Sequence, residues 1–346
     1  MSAFDPKRTH DIDRCGNAFE ADAQLLSCGS CAAGERPVCV TSRLSLKLRN
    51  EERYGRALVT TRDFQWSWQG QHLGLGLDEA GDGALVLLLP ALSSISTRGE
   101  MRPLMERLAS QFRVVAIDWP GFGTRPRRSV RWTPDALSTY LEHVLEQVVG
   151  RPDGIVAAGH AASYVLDYAS RRSGITDRLV LIAPTWRGPL PTIAGGDRPF
   201  FAKIRSAIEM PGIGSLLYRL NVNSFIVGKM VAGHVYSDPT WLSGERPIEK
   251  RQVMDVPGAR YASAAFVTGA LDRVSSRADF LALAARAAVP IFLIYGAETP
   301  SRSRSEMDAL AAVPGVRTER LRRGKLSVHE EFPDEITSFV GQFLSN

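Results

Sequence analysis

The chain has 346 residues, 44% of them apolar and 23% charged, with a net charge of +5. That composition excludes wholesale disorder, and so small a basic excess over so long a chain argues against nucleic acid as a partner. All four cysteines (Cys15, Cys28, Cys31 and Cys39) fall within the first 39 residues, which excludes a disulfide-stapled secreted fold for the bulk of the protein.

Residues 1–56 show neither helical nor alternating periodicity and are expected to be a disordered N-terminal extension. The Cys28–Cys31 pair has the spacing of a zinc knuckle, but Cys15 and Cys39 stand singly where a second such pair belongs, so no metal is expected. Folded structure is expected over 57–346. Phe64–Trp68 and His72–Leu77 alternate around a Gln-Gly turn and read as two short strands. Ala84–Leu89 is an unbroken apolar run, as a strand buried on both faces requires. An amphipathic stretch over about 99–110 follows, then a strand at Phe112–Ile117.

The next helix has an explicit start, with Thr133 as N-cap and Pro134 at the first helical position. Its apolar stripe is Leu137, Tyr140, Leu141, Val144, Leu145 and Val148. A strand at Gly154–Ala158, a helix from Ala161 and a strand at Arg178–Ala183 come next, and residues 186–288 then carry helical pattern without strands. The chain closes with strands at Pro290–Tyr295 and Val316–Leu321, separated by a helix over about 303–312 and followed by another from Pro333. This alternation predicts an α/β fold: a mostly parallel sheet covered by helices on both faces, with the 186–288 insertion as a helical lid over its carboxyl edge.

Two segments carry more than fold. Asp118-Trp119-Pro120-Gly121-Phe122-Gly123 follows one buried strand, and Gly159-His160-Ala161-Ala162-Ser163 follows another and opens a helix. In this order, with the insertion and the last strand–helix pair, the chain resembles the α/β-hydrolase superfamily over roughly residues 64–345. The resemblance implies a sharp strand-to-helix turn whose tip carries a nucleophile flanked, two residues away on each side, by small residues. Taking Gly159 and Ser163 as flanks places Ala161 at the tip, and a methyl group cannot attack a carbonyl. Ser163 is a poor substitute, since Val165 would then crowd the turn.

The other two members of the implied triad also depart from the family pattern. Thr299 occupies the acid's position, with Glu298 one residue early, and Lys325-Leu326 follow Gly324 where the histidine belongs, leaving His329 three to four residues late. His329, Glu298 and His160 are therefore the acid–base candidates. Backbone donors survive such replacements, and the resemblance maps an oxyanion hole to the amides of Leu92 and Ala162. Trp119, Thr185, Trp186, Arg187 and His234 are expected at the pocket, where a Trp-Arg pair suits a planar or anionic group.

The reading is of a protein inactive as a serine hydrolase that binds a small hydrophobic or carbonyl-bearing ligand under its lid. An enzyme using a displaced His/Glu pair for hydrolase, lyase or cofactor-free oxygenase chemistry, and a protein-interaction module, stay open beside it. No cofactor and no membrane span are expected, and the location expected is the cytoplasm.

Overall fold

The computed structural model describes residues 52–54, 57–221 and 224–346. The cysteine cluster lies outside them. Of the segment expected to be disordered, Glu52–Tyr54 (β1) is described, and it pairs antiparallel with Ala57–Trp68 (β2).

β2 and Gln71–Ala80 (β3) form a hairpin several residues longer than the alternating pattern marks, because its outer half carries Thr, Arg and Asp on a solvated edge. Leu85–Leu89 (β4), Arg113–Ile117 (β5), Gly154–Ala158 (β6), Arg178–Ile182 (β7), Ile291–Gly296 (β8) and Val316–Leu321 (β9) complete the sheet. Its order is β1-β2-β3-β5-β4-β6-β7-β8-β9. Pairing is antiparallel through β3–β5 and parallel from β5 onward. β4 and β6 are buried nearly throughout, as unbroken apolar runs between neighbouring strands should be. After β4 the chain leaves to one side, into β5, and later enters β6 on the other. The carboxyl ends of β4 and β6 thus flank the switch point at which such sheets bind ligands.

Helix Arg102–Leu108 (α1) connects β4 to β5, and Pro134–His143 (α2) connects β5 to β6. Thr133 caps α2 as expected, its Oγ1 accepting the Ala136 N–H at 3.2 Å. Ala161–Arg171 (α3) follows β6. Between β7 and β8 run α4 (Pro189–Ala194), α5 (Pro199–Glu209), α6 (Ile213–Asn221), α7 (Ser224–His234), α8 (Arg246–Asp255), α9 (Ala259–Val267) and α10 (Arg277–Arg286). Of these, α10 packs along α3. Tyr218, Val231, Tyr236, Met254 and Ala259 give the insertion a small core of its own, which also takes in Ile95 from the loop after β4. Ser301–Ala311 (α11) precedes β9, and Val328–Glu331 (α12) and Pro333–Ser345 (α13) end the chain, α13 packing on α1. No described helix is long and apolar enough to cross a membrane.

One ion pair ties the antiparallel and parallel halves together. Arg98, in a short helical turn at Arg98–Met101, reaches Asp78 of β3 at 2.9 Å and pairs with Asp118 just past β5. All three side chains are nearly buried. Burial alone would lower the Arg98 pKa, but the two carboxylates overcome it and hold the guanidinium above its usual value. The backbone makes room for the pair: a Cβ on Gly76 would collide with the Arg98 guanidinium, and one on Gly123 would sit 2.5 Å from the Asp118 carboxyl carbon. Gly123, at φ +88°, also occupies a conformation that side chains disfavour. The last glycine of the Asp-x-Pro-Gly-x-Gly segment is thus explained by the ion pair beside it.

Replacing Arg98 by Met should strand two buried carboxylates and cost about 3–5 kcal/mol of unfolding free energy. A urea denaturation midpoint implying less than about 1 kcal/mol would show that the pair is not what joins the two halves.

Candidate functional site

The turn after β6 is built on Gly159, whose φ is +51°. His160 is already right-handed (φ −70°), and Ala161 is the first residue of α3, fully buried. The left-handed backbone thus falls at Gly159, two residues before Ala161, with Ala157 and Ala161 as its small neighbours two positions away. Gly159-His160-Ala161-Ala162 carries no hydroxyl, thiol or carboxylate side chain. Ser163 is fully buried and its Oγ donates to the His160 carbonyl at 2.9 Å, a bond within its own helix.

The Ala162 N–H is turned toward the Gly159 carbonyl at 3.3 Å, whereas the His160 and Ala161 N–H groups open α3, where the helix has no carbonyl to receive them. On the facing loop the Leu92 side chain is buried in the core, and the Ala91 N–H is bound to Glu100 Oε1 at 2.5 Å. A Cβ on Gly159 would lie 2.9 Å from that of Ala91, so turn and loop are in close contact.

The three acid–base candidates do not converge. His160 is buried and turned toward the insertion, its Nε2 3.1 Å from the Leu271 carbonyl and 3.4 Å from Asp272 Oδ1. Burial lowers its pKa to about 4, with the Leu271 hydrogen bond opposing, so at neutral pH it is an uncharged and weak base. Burial likewise pushes Asp272 up to about 8, although it accepts the Gly188 N–H at 2.8 Å and lies near Arg187. Desolvation outweighs attraction in this pair and both partners favour their neutral forms.

Glu298 is exposed and braces the loop after β9, accepting the Gly324 N–H at 3.2 Å. The Ser237 hydroxyl and that N–H hold its carboxyl below the usual range. His329, on α12, is buried and faces Glu100 instead, with Nε2 3.7 Å from Oε1. Burial pushes Glu100 up, but His329, Lys250 and Ser96 together bring its pKa below normal, so it is ionised. Beside it Glu330 accepts the Tyr236 hydroxyl at 2.7 Å and pairs with Lys250 of α8 at 2.9 Å. Donor atoms of Glu100, His329 and Glu330 lie within 4.8 Å of one another, close enough for a metal ion, but Lys250 already serves Glu330 as its cation. Glu100, Asp272 and Lys250 were not singled out from the sequence, and no local spacing marks them.

Of the expected pocket residues, Thr185, Trp186 and Arg187 line one cavity of about 280 Å³, together with Arg277, Arg302 and Glu306. The Thr185 N–H donates to the Gly159 carbonyl at 3.0 Å, which joins this wall to the turn. Trp186 is buried, donates to Glu306 Oε2 at 3.1 Å, and carries the Arg187 guanidinium 4.2 Å above its ring. Trp119 is elsewhere: its Nε1 donates to the Pro90 carbonyl at 2.9 Å and its ring packs between Tyr140 and Tyr164 in the core. His234 is exposed at the end of α7, its Nδ1 3.2 Å from the Met230 carbonyl, and lines no part of that cavity.

Residues 86–338 match the family model described as "Alpha/beta hydrolase family". Among similar solved structures is epoxide hydrolase CorEH, 19% identical over 82% of this chain and 99% of its own, with a TM-score of 0.63. An esterase from Thermogutta terrifontis is 19% identical over 82% of this chain and 98% of its own (TM-score 0.61). The haloalkane dehalogenase DatA from Agrobacterium tumefaciens C58 is 17% identical over 82% and 96% respectively (TM-score 0.58). At such identities the likeness is one of fold. No curated protein matches the sequence.

The His160–Asp272 pair has a pH signature. A pKa of about 8 in the folded state, against the ordinary 3.8, means that folded Asp272 keeps a proton the unfolded chain releases, so its contribution to stability is lost as pH rises through that window. His160, at about 4 against 6.5, works oppositely but only below about pH 6.5. Between pH 6.5 and 8 the wild type should therefore lose up to ~1.4 kcal/mol of stability per pH unit. Asp272→Asn should be flat there, and parallel denaturation curves for the two proteins would refute the assignment.

Proposed function

This chain belongs to the α/β-hydrolase family, and we propose that it is a member without serine chemistry, which binds a small apolar or carbonyl-bearing ligand beneath its helical insertion. The observation that carries the reading is the turn itself: Gly159 at its left-handed position and Ala161 behind it offer no attacking atom, and the first hydroxyl that follows in the chain, Ser163, is bonded inward. The remaining parts of a triad act jointly, so losing the nucleophile removes the acyl-enzyme route whatever else is kept. The displaced His/Glu alternative is not favoured, because Glu298 braces one loop while His329 faces Glu100 across another.

Support for binding comes from what surrounds the turn. The opening amides of α3 form a helix N-terminus that suits a carbonyl oxygen. The cavity lined by Thr185, Trp186 and Arg187 adjoins the turn through Thr185, and joins an aromatic wall to a few polar anchors. A second reading, as a protein-docking module, is favoured by one observation: Phe200, Met210, Ile213 and Leu216 on the insertion are each at least half exposed.

Purified protein should take no label from a fluorophosphonate and should release no nitrophenol from p-nitrophenyl butyrate, while binding that ester with an affinity that Arg187→Ala weakens about tenfold. Labelling, or turnover that disappears in Ser163→Ala or His329→Ala, would establish an active hydrolase. Absence of any binding, together with concentration-dependent self-association abolished by Leu216→Glu, would favour the docking module.

A further inference from the structure

We propose a second binding site, away from the turn after β6, in the cleft between the β2–β3 hairpin and the loop after β5. It would take a small organic anion, a carboxylate or phosphate ester, on Arg127, Arg128 and Trp132. The cleft encloses about 340 Å³, and Gln65, His72, Phe122, Arg127, Arg128 and Trp132 contribute its polar and aromatic wall. No Asp or Glu lines it. Arg125, also at its edge, is already paired with Asp63 at 2.7 Å.

Arg127 is the uncommon element. It is only 8% exposed, yet among the described residues no carboxylate lies within ion-pair distance of it. Its Nη2 donates to the carbonyls of Gly123 (2.5 Å) and Val253 (3.1 Å), while Nε and Nη1 have no partner. Trp132, 5% exposed, likewise has a buried Nε1–H without an acceptor. A buried cation normally has a counter-charge, and buried donors normally have acceptors. Here the cation has two carbonyl acceptors but no counter-charge in contact. Three of the N–H groups on Arg127 and Trp132, buried just behind the wall of the same cleft, have no acceptor, an arrangement that a small shift of these side chains would turn toward an acceptor-only, negatively charged group. Burial also lowers the Arg127 pKa to about 10, and the opposing pull of Tyr218 and Asp118 does not make up for it.

The apolar part of such a ligand has a wall to rest on in Leu73, Leu75, Phe122 and Trp132. The site also touches the insertion. The Arg127 N–H donates to the Pro257 carbonyl at 2.8 Å, and Val253, whose carbonyl its guanidinium holds, is on α8. An anion on Arg127 would therefore stiffen the seam between insertion and sheet.

Calorimetric titration with benzoate and with phenyl phosphate, and with benzyl alcohol as the neutral ring control, tests the proposal. Binding of either anion, with the alcohol at least about tenfold weaker, supports it, and whichever anion binds more tightly names the headgroup. Trp132→Phe keeps the ring and removes the N–H, and should weaken binding about fivefold; Arg128→Gln, on an exposed side chain, should do the same without disturbing the fold. Arg127→Gln should abolish binding, with circular dichroism as the check that it folds. Three results overturn the proposal: no anion binds, the alcohol binds as well as the anions, or Trp132→Phe and Arg128→Gln both leave the affinity unchanged. Loss of binding in Arg187→Ala would also overturn it, by placing the anion in the other cavity.

Discussion

The architecture around the switch point depends on one buried cation. Arg98 stands between Asp78 and Asp118, and through them holds a hairpin strand, the end of β5 and the loop after β4 at one point. Two positions later in the same short turn, Glu100 holds the Ala91 amide, and Ala91 in turn lies against Gly159. The glycines at 76 and 123 are shaped by that cation and its partners. A chain of contacts thus runs from a structural ion pair to the turn where the fold family does its chemistry. Preserving this framework preserves the geometry of the turn whether or not any reaction occurs there.

A second group of charges gathers around His329. Glu100, His329, Glu330, Lys250 and Tyr236 come from four separate stretches of chain, and two of them, Lys250 and Tyr236, belong to the insertion. Charges removed from water are tolerable when they answer one another, and here each carboxylate has a cationic or hydroxyl partner. The cluster is best understood as a fastening of the insertion to α12. Groups so engaged are poorly placed to exchange protons with a ligand.

The sequence showed most of the scaffold and only part of the site, for physical reasons. β6, β9, α3 and α13 begin where the pattern places them, since unbroken apolar runs, a proline at a helix start and glycine before a helix are local signals. The sequence leaves the turn's frame open because Ala157, Gly159, Ala161 and Ser163 are all small, and the left-handed backbone falls at Gly159. Trp119 is a core residue and His234 a surface one because sequence position fixes which loop a residue occupies and leaves its side chain's direction open. The partners that matter electrostatically, Glu100 for His329 and Asp272 for His160, are separated from them by far more chain than any motif spans.

The contact between Gly159 and Ala91 bears on how such a protein could change over evolutionary time. A serine placed at the tip would have to adopt a left-handed backbone and bring its Cβ to 2.9 Å from that of Ala91, a separation that requires something to move. Any side chain at 159 therefore asks for compensation at 91 as well. The packing behind the turn ties the two positions together, so that over time they are free to change only as a pair.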